Sequence, residues 1–262
     1  MADVELEIAD PVGLIRLNRP EKLNAFTYDT LRGIRAAVDS CVADTRVVGI
    51  VLTGTGRGFS AGLDSATLAE VTSRPDAGET PPSDELPGIF SYFLETPKPI
   101  ISAVNGVTAG GGLIMALMSD LRIAAESASF TTVFLKRGLI AEHGSSWLLP
   151  RLVGVGRALD LLWMSDRISA AEALNMGLVE QVVPAEQLLD RAFAYVRRLA
   201  RTSAPHAIAA TKKLVYSHLG TGYTQALREA ERVQWKFVAA PDAREGAMAL
   251  IEKRPPRFQR LG

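Results

Sequence analysis

The stretch Pro99-Ile-Ile-Ser-Ala-Val-Asn-Gly-Val-Thr-Ala-Gly110-Gly111-Gly112-Leu-Ile-Met-Ala-Leu-Met118 decides how this chain reads. Pro99 to Val104 is a short β-branched run with the pattern of a buried strand. The apolar run after the glycines has the pattern of a helix. Three consecutive glycines between them are unfavourable, because glycine loses the most backbone freedom on ordering. A chain accepts that cost where the backbone must turn unusually or be approached closely. Bare N–H groups at a helix start also favour negative charge, so the glycines mark either an anion or oxyanion site or a tight strand-to-helix packing turn.

Outward from this stretch, Val4, Leu6 and Ile8 alternate with polar residues, and Val12 to Leu17 follows the Asp10-Pro11 turn. Both segments predict strands, as do Val47 to Leu52 and Leu121 to Ala125. Leu31, Ile34, Val38 and Cys41 follow helical spacing, which places Cys41 in the core. Ser73 to Pro87, with Pro75, Gly78, Pro81, Pro82 and Pro87, has the length of a lid, a binding loop or a disordered segment. From about Gly154 the pattern is helical. Ser169-Ala-Ala-Glu172 and Asp242-Ala-Arg-Glu245 resemble capping boxes. Pro184 fits a first helical position, and Pro205 sits near another helix start. Ser203–Leu219 and Thr224–Val238 are long and amphipathic. The chain therefore reads as an α/β core over residues 1–200 followed by a helical region over residues 201–262.

Composition narrows the function classes. The 262 residues are 47% hydrophobic and 22% charged, with 29 Lys+Arg against 29 Asp+Glu. A net charge of zero argues against a nucleic-acid or anionic-membrane surface, though not against a local patch for one phosphorylated ligand. Cys41 is the only cysteine, so no intrachain disulfide forms, and no Cys/His spacing predicts zinc. The acidic N-terminus lacks the apolar core of a signal peptide, and no apolar run approaches the ~20 residues of a membrane span. The expectation is a cytoplasmic protein without a membrane or nucleic-acid partner.

A second glycine-rich segment, Thr53-Gly-Thr-Gly-Arg-Gly-Phe-Ser-Ala-Gly-Leu-Asp64, supports three readings. Gly56 to Ala61 matches the dinucleotide pattern G-x-G-x-x-A, but the βαβ context it needs is replaced by the proline-rich loop. Gly58-Phe-Ser60-Ala-Gly62 matches a nucleophile elbow, so a serine hydrolase using Ser60 is an alternative. The oxyanion glycines of that class precede the serine, however, and here they follow it. Thirdly, the loop at Ala61–Asp64 and the loop at Gly110–Gly112 either each contribute one backbone N–H to a single oxygen, forming an oxyanion hole for a carbonyl becoming an enolate, or are two unrelated turns.

Gly138-Leu-Ile-Ala-Glu142-His-Gly-Ser-Ser-Trp147-Leu-Leu-Pro150 leads into another helical pattern. Glu142 either stabilises that helix N-terminus or is desolvated by Leu139, Ile140, Trp147 and Leu148. The second role would raise its pKa and suit it to general-base work.

Together these residues resemble the enoyl-CoA hydratase/isomerase (crotonase) family over nearly the whole chain. The resemblance is carried by Arg16-Leu-Asn-Arg-Pro-Glu-Lys-Leu-Asn-Ala-Phe26, Arg57-Gly-Phe-Ser-Ala-Gly-Leu-Asp64, Ala103 to Gly112, Ser119 to Phe130, Ala170 to Val179 and Glu245 to Phe258. It implies a spiral of repeated ββα units with a C-terminal helical trimerisation region, assembled as a homotrimer or hexamer. It implies an acyl-CoA thioester substrate and no metal or redox cofactor. On the matched positions the oxyanion donors are the N–H groups of Leu63 and Gly111. Ala61, Leu63, Asp64, Ser65 and Gly111, with Lys22 and Leu23, line the CoA path. The family's two hydratase glutamates fall on Ile114 and Phe134, neither of which moves a proton. They are either the wall of an apolar acyl chamber, with Trp147, or plain core. The isomerase branch carries one glutamate at the place of Glu142, which favours the catalytic role for that residue. The expected chemistry is double-bond isomerisation, or hydration, through an enolate with one acid/base. A non-catalytic acyl-CoA binder is the contrasting class.

Overall fold

The structure is a computed structural model, and it describes residues 2–73 and 88–261. Of the Ser73–Pro87 loop, only Ser73 lies within the described residues. The chain opens with an antiparallel pair, β1 (Val4–Ala9) and β2 (Val12–Leu17), in register Val4 to Leu17. α1 (Tyr28–Ala43) follows, capped by the Thr27 hydroxyl accepting from Thr30 N, and buries Ile34, Val38 and Cys41. Its far end is closed by the buried Lys98 ammonium, which donates to the carbonyls of Cys41 (2.9 Å) and Asp44 (2.7 Å). Burial pushes the Cys41 thiol up to about 11, so this cysteine is packing and not a nucleophile.

One unit then repeats three times: a strand in a first sheet, a short strand in a second, then helix. Its copies begin β3 (Gly49–Gly54), β4 (Gly58–Ser60) and α2 (Ser65–Thr72). After α3 (Tyr92–Glu95) come β5 (Ile100–Val104), β6 (Val107–Ala109) and α4 (Gly111–Met118). The third copy is β7 (Leu121–Ala125), β8 (Ser129–Thr131), α5 (Ser145–Val153) and α6 (Val155–Met164). β3, β5 and β7 run parallel within the six-stranded sheet β1-β2-β3-β5-β7-β10. β4, β6 and β8 run parallel within the four-stranded sheet β4-β6-β8-β9. This is the ββα spiral that the sequence resemblance implies.

The chain finishes with β9 (Ile168–Ser169), α7 (Ala170–Met176), β10 (Gln181–Val183), α8 (Leu188–Thr202), α9 (Pro205–His218), α10 (Tyr223–Val238) and α11 (Pro241–Ile251). The Ser169–Glu172 capping box is present, and Pro205 opens α9. Three expectations are corrected. β9 and β10 interrupt the helical run because each pairs with a strand of the spiral. Asp242 and Glu245 do not form a capping box: Ala240 is the N-cap of α11, while Asp242 accepts from Gln259 N and Glu245 pairs with Arg254. Pro184 precedes a 3-10 turn at Ala185–Gln187 instead of opening it. Among the described residues no helix is long and apolar enough to cross a membrane.

α4 is the element on which the triple glycine depends, and it is fixed at both ends. At its C-terminus the buried Arg122 guanidinium donates to Ser119 O (2.9 Å), Ala116 O (3.4 Å) and Leu178 O (2.8 Å), and pairs with Glu180. At its N-terminus a Cβ on Gly112 would stand 2.2 Å from Ser60 O, so only glycine lets α4 lie this close to β4. Arg122→Ala, which strands Glu180 and three buried carbonyls, is expected to lower unfolding stability by roughly 3 kcal/mol in urea titration. Gly112→Ala, with its methyl forced against the β4 backbone, is expected to lose about 1–3 kcal/mol by the same measurement.

Candidate active site

Asn24 organises the first half of the site. Its side chain is buried, with 1% exposure, and both amide donors and the amide oxygen are hydrogen-bonded. Nδ2 donates to Thr55 O (2.9 Å) and Gly58 O (2.7 Å), Oδ1 accepts from Arg19 N (2.8 Å), and the main-chain carbonyl accepts from Ser60 Oγ (2.8 Å). Asn105 grips the same glycine turn from the other side, accepting from Gly54 N and donating to Gly56 O and Gly58 O. The Gly54–Gly58 turn therefore presents carbonyls to two amides. That is opposite in polarity to a phosphate cradle, and Gly58–Ser60 continues as strand instead of helix. The dinucleotide reading falls on both counts.

The serine-hydrolase reading also falls. Ser60 is fully buried on β4, and its Oγ donates to Asn24 O while accepting from Gly62 N at 3.2 Å. No histidine among the described residues reaches it, so its hydroxyl is a structural clasp.

From this clasp the chain runs into the two expected loops. Phe26 and Leu63 form a parallel bridge: Phe26 N donates to Gly62 O (2.7 Å) and Asp64 N to Phe26 O (2.8 Å). In that geometry the N–H of Leu63 points away from Phe26. Gly62 adopts φ +86, and a Cβ there would come within 2.8 Å of both Gly111 N and Ala109 O. The two loops thus meet backbone to backbone. Gly110, also left-handed, ends β6, and Gly111 opens α4 with its N–H unclaimed by the helix. Among the described residues neither the Leu63 N–H nor the Gly111 N–H has a hydrogen-bond acceptor. Two free donors adjoin each other across Gly62, one of them at the positive end of a helix.

The other candidate positions cluster here. Leu23 O accepts from Ala61 N (2.9 Å), and Leu23 packs on Gly58. Lys22 is exposed beside it. Asp64 starts α2, its Oδ1 accepting from Ala66 N (3.0 Å), and lies 3.5 Å from the Arg19 guanidinium. Ser65 is exposed at the first position of that helix. The Phe26 ring and Ile89 each approach to 3.5 Å of the Cβ position of Gly111. Sequence reasoning quoted Asn24, Phe26 and Asn105 without giving them a role. The available signal was an asparagine next to glycine or tight-turn residues between strand patterns.

Glu142 lies on a separate turn reached through Ile89. Gly88 packs against His143, its Cβ position 3.7 Å from the His143 Cα, while the next residue, Ile89, touches Gly111. The Glu142 side chain makes no capping hydrogen bond to α5. Gly144 is the N-cap of α5 without a side-chain cap, and only the main-chain carbonyl of Glu142 accepts, from Ser145 N and Ser145 Oγ. The Glu142 carboxylate is half-buried and has no hydrogen bond or ion pair among the described residues. Leu148 is buried behind the turn, but Ile140 is 79% exposed, so the apolar shell expected around Glu142 is only partial. Beside it, burial holds the His143 imidazole below its ordinary pKa, opposed by the Glu142 charge. Ile114 and Phe134 are both buried in the main apolar core, a position that fits either the wall of an acyl chamber or plain packing.

Comparison with known proteins gives one answer. The sequence model of the enoyl-CoA hydratase/isomerase family matches residues 7–260. The "Probable enoyl-CoA hydratase" of Rhodobacter capsulatus is 35% identical, with 97% of each chain covered. The 1,2-epoxyphenylacetyl-CoA isomerase of Escherichia coli is 36% identical, with 93% of each covered. Among solved structures, the enoyl-CoA hydratase of Bacillus anthracis superposes with a TM-score of 0.88 at 29% identity, covering 98% of this chain and 99% of that one. A spiral of ββα units, two abutting glycine loops and relatives matched end to end place this chain in the enoyl-CoA hydratase/isomerase family, with the crotonase fold.

Proposed function

We propose that the chain catalyses proton transfer at the α-carbon of an acyl-CoA thioester, with the Leu63 and Gly111 N–H groups as the oxyanion hole and Glu142 as the single acid/base. The observation that carries this reading is the contact of the two loops at Gly62, which leaves both N–H groups without an acceptor. With a 3-enoyl thioester, the Glu142 carboxylate takes a proton from C2. The electron pair moves into the C1–C2 bond, and the thioester oxygen becomes the anion held by the two N–H groups. The dienolate then takes the same proton back at C4, giving the 2-enoyl thioester. One well-placed backbone donor lowers such a barrier by about 3–4 kcal/mol. The shuttle moves no electrons out of the substrate, so the proposal includes neither a redox cofactor nor a metal. Lys22, Leu23, Ala61, Asp64 and Ser65 form the proposed CoA-side rim.

Glu142→Gln keeps the shape and removes the base. Isomerisation of 3-enoyl-CoA is expected to fall at least ~100-fold, while calorimetric binding of an acyl-CoA stays within a few fold. An unchanged rate removes Glu142 from the role. Wild-type protein that binds acyl-CoA without any turnover is instead a carrier.

The proposal includes a homotrimer, or a hexamer of two trimers. Its support is the apolar surface left open on α6, at Val155 and Trp163, and on α10 and α11, at Tyr223, Trp235, Leu250 and Ile251. Sedimentation equilibrium should return three or six times the chain mass; a monomer rejects this part of the reading.

A further inference from the structure

We infer that the substrates are long-chain acyl thioesters, whose chain leaves the catalytic centre along α4 and emerges between α3 and α9; this rests on the acyl-CoA reading above. That reading places C1 to C4 between the two N–H groups and Glu142, and leaves the rest of the acyl group without a place. The structure offers one: a cavity of about 680 Å3 bounded by α3, the last residue of α4, the start of α5 and α9. Small-molecule sites are typically concave spaces of ~300–1,000 Å3 with mainly apolar walls.

The first observation is continuity. Gly144, two residues after Glu142, forms part of the cavity wall, and so does Ser91. Both adjoin the proposed catalytic centre. Ser91 Oγ is 2.9 Å from the Cβ position of Gly88, which packs against His143, while Ile89 touches Gly111. Met118 Cε is 2.9 Å from the Cβ position of Gly144, so the Glu142 turn ends on the last residue of α4. One helix thus carries a proposed oxyanion donor at its first residue and the cavity wall at its last. At ~1.5 Å per residue those two ends stand about 10 Å apart along the axis. An extended chain of roughly eight carbons covers that distance, each ~1.5 Å bond advancing about 1.25 Å. A four-carbon acyl group therefore ends short of the cavity, and longer ones enter it.

The second observation is a gradient along the wall. Met118 is buried, and Leu94, Trp147 and Tyr216 are half-buried. The Arg151 guanidinium stacks 4.1 Å from the centre of the Trp147 ring, which steadies that ring. The remaining lining, Glu95, Lys213 and Ser217, is exposed. A second cavity of about 200 Å3 adjoins there, sharing Leu94, Glu95 and Lys213. An apolar passage that ends in exposed charges of both signs is an outlet: methylenes are covered inside and the tip of the chain meets water.

The third observation is that the α9 wall is built in advance. Asp120, just after α4, accepts from Tyr216 OH (3.0 Å), Lys212 Nζ (2.7 Å) and Ile100 N (2.7 Å). These bonds hold α9 against the corner between α4 and β7. A preformed wall spares a ligand the cost of ordering it.

The test measures calorimetric binding of saturated acyl-CoAs to the full chain, which needs no turnover. Affinity should rise about fourfold for each methylene buried, so dodecanoyl-CoA should bind at least ~100-fold tighter than butanoyl-CoA. Because the outlet is open, a terminal hydroxyl on the dodecanoyl chain should weaken binding less than about threefold, where a closed apolar chamber would lose about 30-fold or more. Leu94→Trp and Ser217→Trp narrow the passage from opposite walls. Each should cut the dodecanoyl-to-butanoyl affinity ratio about 30-fold, as if two or three methylenes were expelled. Butanoyl-CoA binding reports that each variant is folded. A ratio near one in the wild type, a ratio that both variants leave intact, or a 30-fold loss from the terminal hydroxyl overturns the proposal. Isomerisation by Glu142→Gln separates this from the reading beneath it. An unchanged rate removes the acid/base and leaves the passage standing on the binding series. Binding that ignores chain length, beside a lost rate, removes only the passage. Failure to bind any acyl-CoA removes both.

Discussion

A buried amide holds this site together. Asn24 sits in left-handed backbone, inside the core, with both side-chain donors and its side-chain oxygen committed to main-chain groups. Leaving any of those groups unpaired in the interior would cost about 1–3 kcal/mol, so the segment after β2 has one way to lie against the turn after β3. That placement sets Phe26 opposite Leu63, and the bridge sets which way the Leu63 N–H faces. Asn105 applies the same constraint from β5, which ties the second repeat of the spiral to the turn of the first. The geometry of the proposed oxyanion hole is thus inherited from two buried amides.

Close approach of backbones is the second condition. The two free N–H groups can serve one oxygen only if their loops nearly touch, and side chains would hold them apart. Gly62 and Gly112 are the positions where this happens, with backbone atoms at 2.8 Å and 2.2 Å from where a Cβ would be. Rigid donors also matter energetically. Dipoles already aimed at the site of developing charge need no reorganisation during the reaction. Arg122, at the far end of α4, contributes by fixing the helix whose first N–H is one of the two donors.

How far the sequence shows all this depends on the scale of each feature. Strands β2, β3, β5 and β7 of the larger sheet were legible because four or more consecutive buried residues leave a pattern, as in β5, where every residue is buried. The three-residue strands β4 and β6 were not, because a run that short carries no periodicity. Glycine patterns are ambiguous for a physical reason. Gly54–Gly58 and Gly110–Gly112 look alike in sequence, yet one presents carbonyls to asparagines and the other presents N–H groups. Only the conformations between the glycines decide which. Asp242 and Glu245 had capping-box spacing, but the C-terminal tail competed for both side chains and won through Arg254 and Gln259. At Ser169 the capping box is kept, and among the described residues no other group bonds the Ser169 hydroxyl or the Glu172 carboxylate.

In the proposed reaction Glu142 and the two N–H groups would obey opposite requirements, and they lie on different kinds of structure. A group that stabilises charge does best when fixed. A group that must take a proton at one carbon and deliver it at another two bonds away does best when it can swing. Among the described residues the half-buried Glu142 carboxylate has no hydrogen-bond or ion-pair partner, whereas Ser60, Asn24 and Asn105 are hydrogen-bonded to the main chain. Proton transfer from a turn between Gly138 and α5, as proposed, would give up preorganisation of one carboxylate and gain reach. In the proposed reaction the rigid half of the site stabilises the enolate long enough for the mobile half to travel.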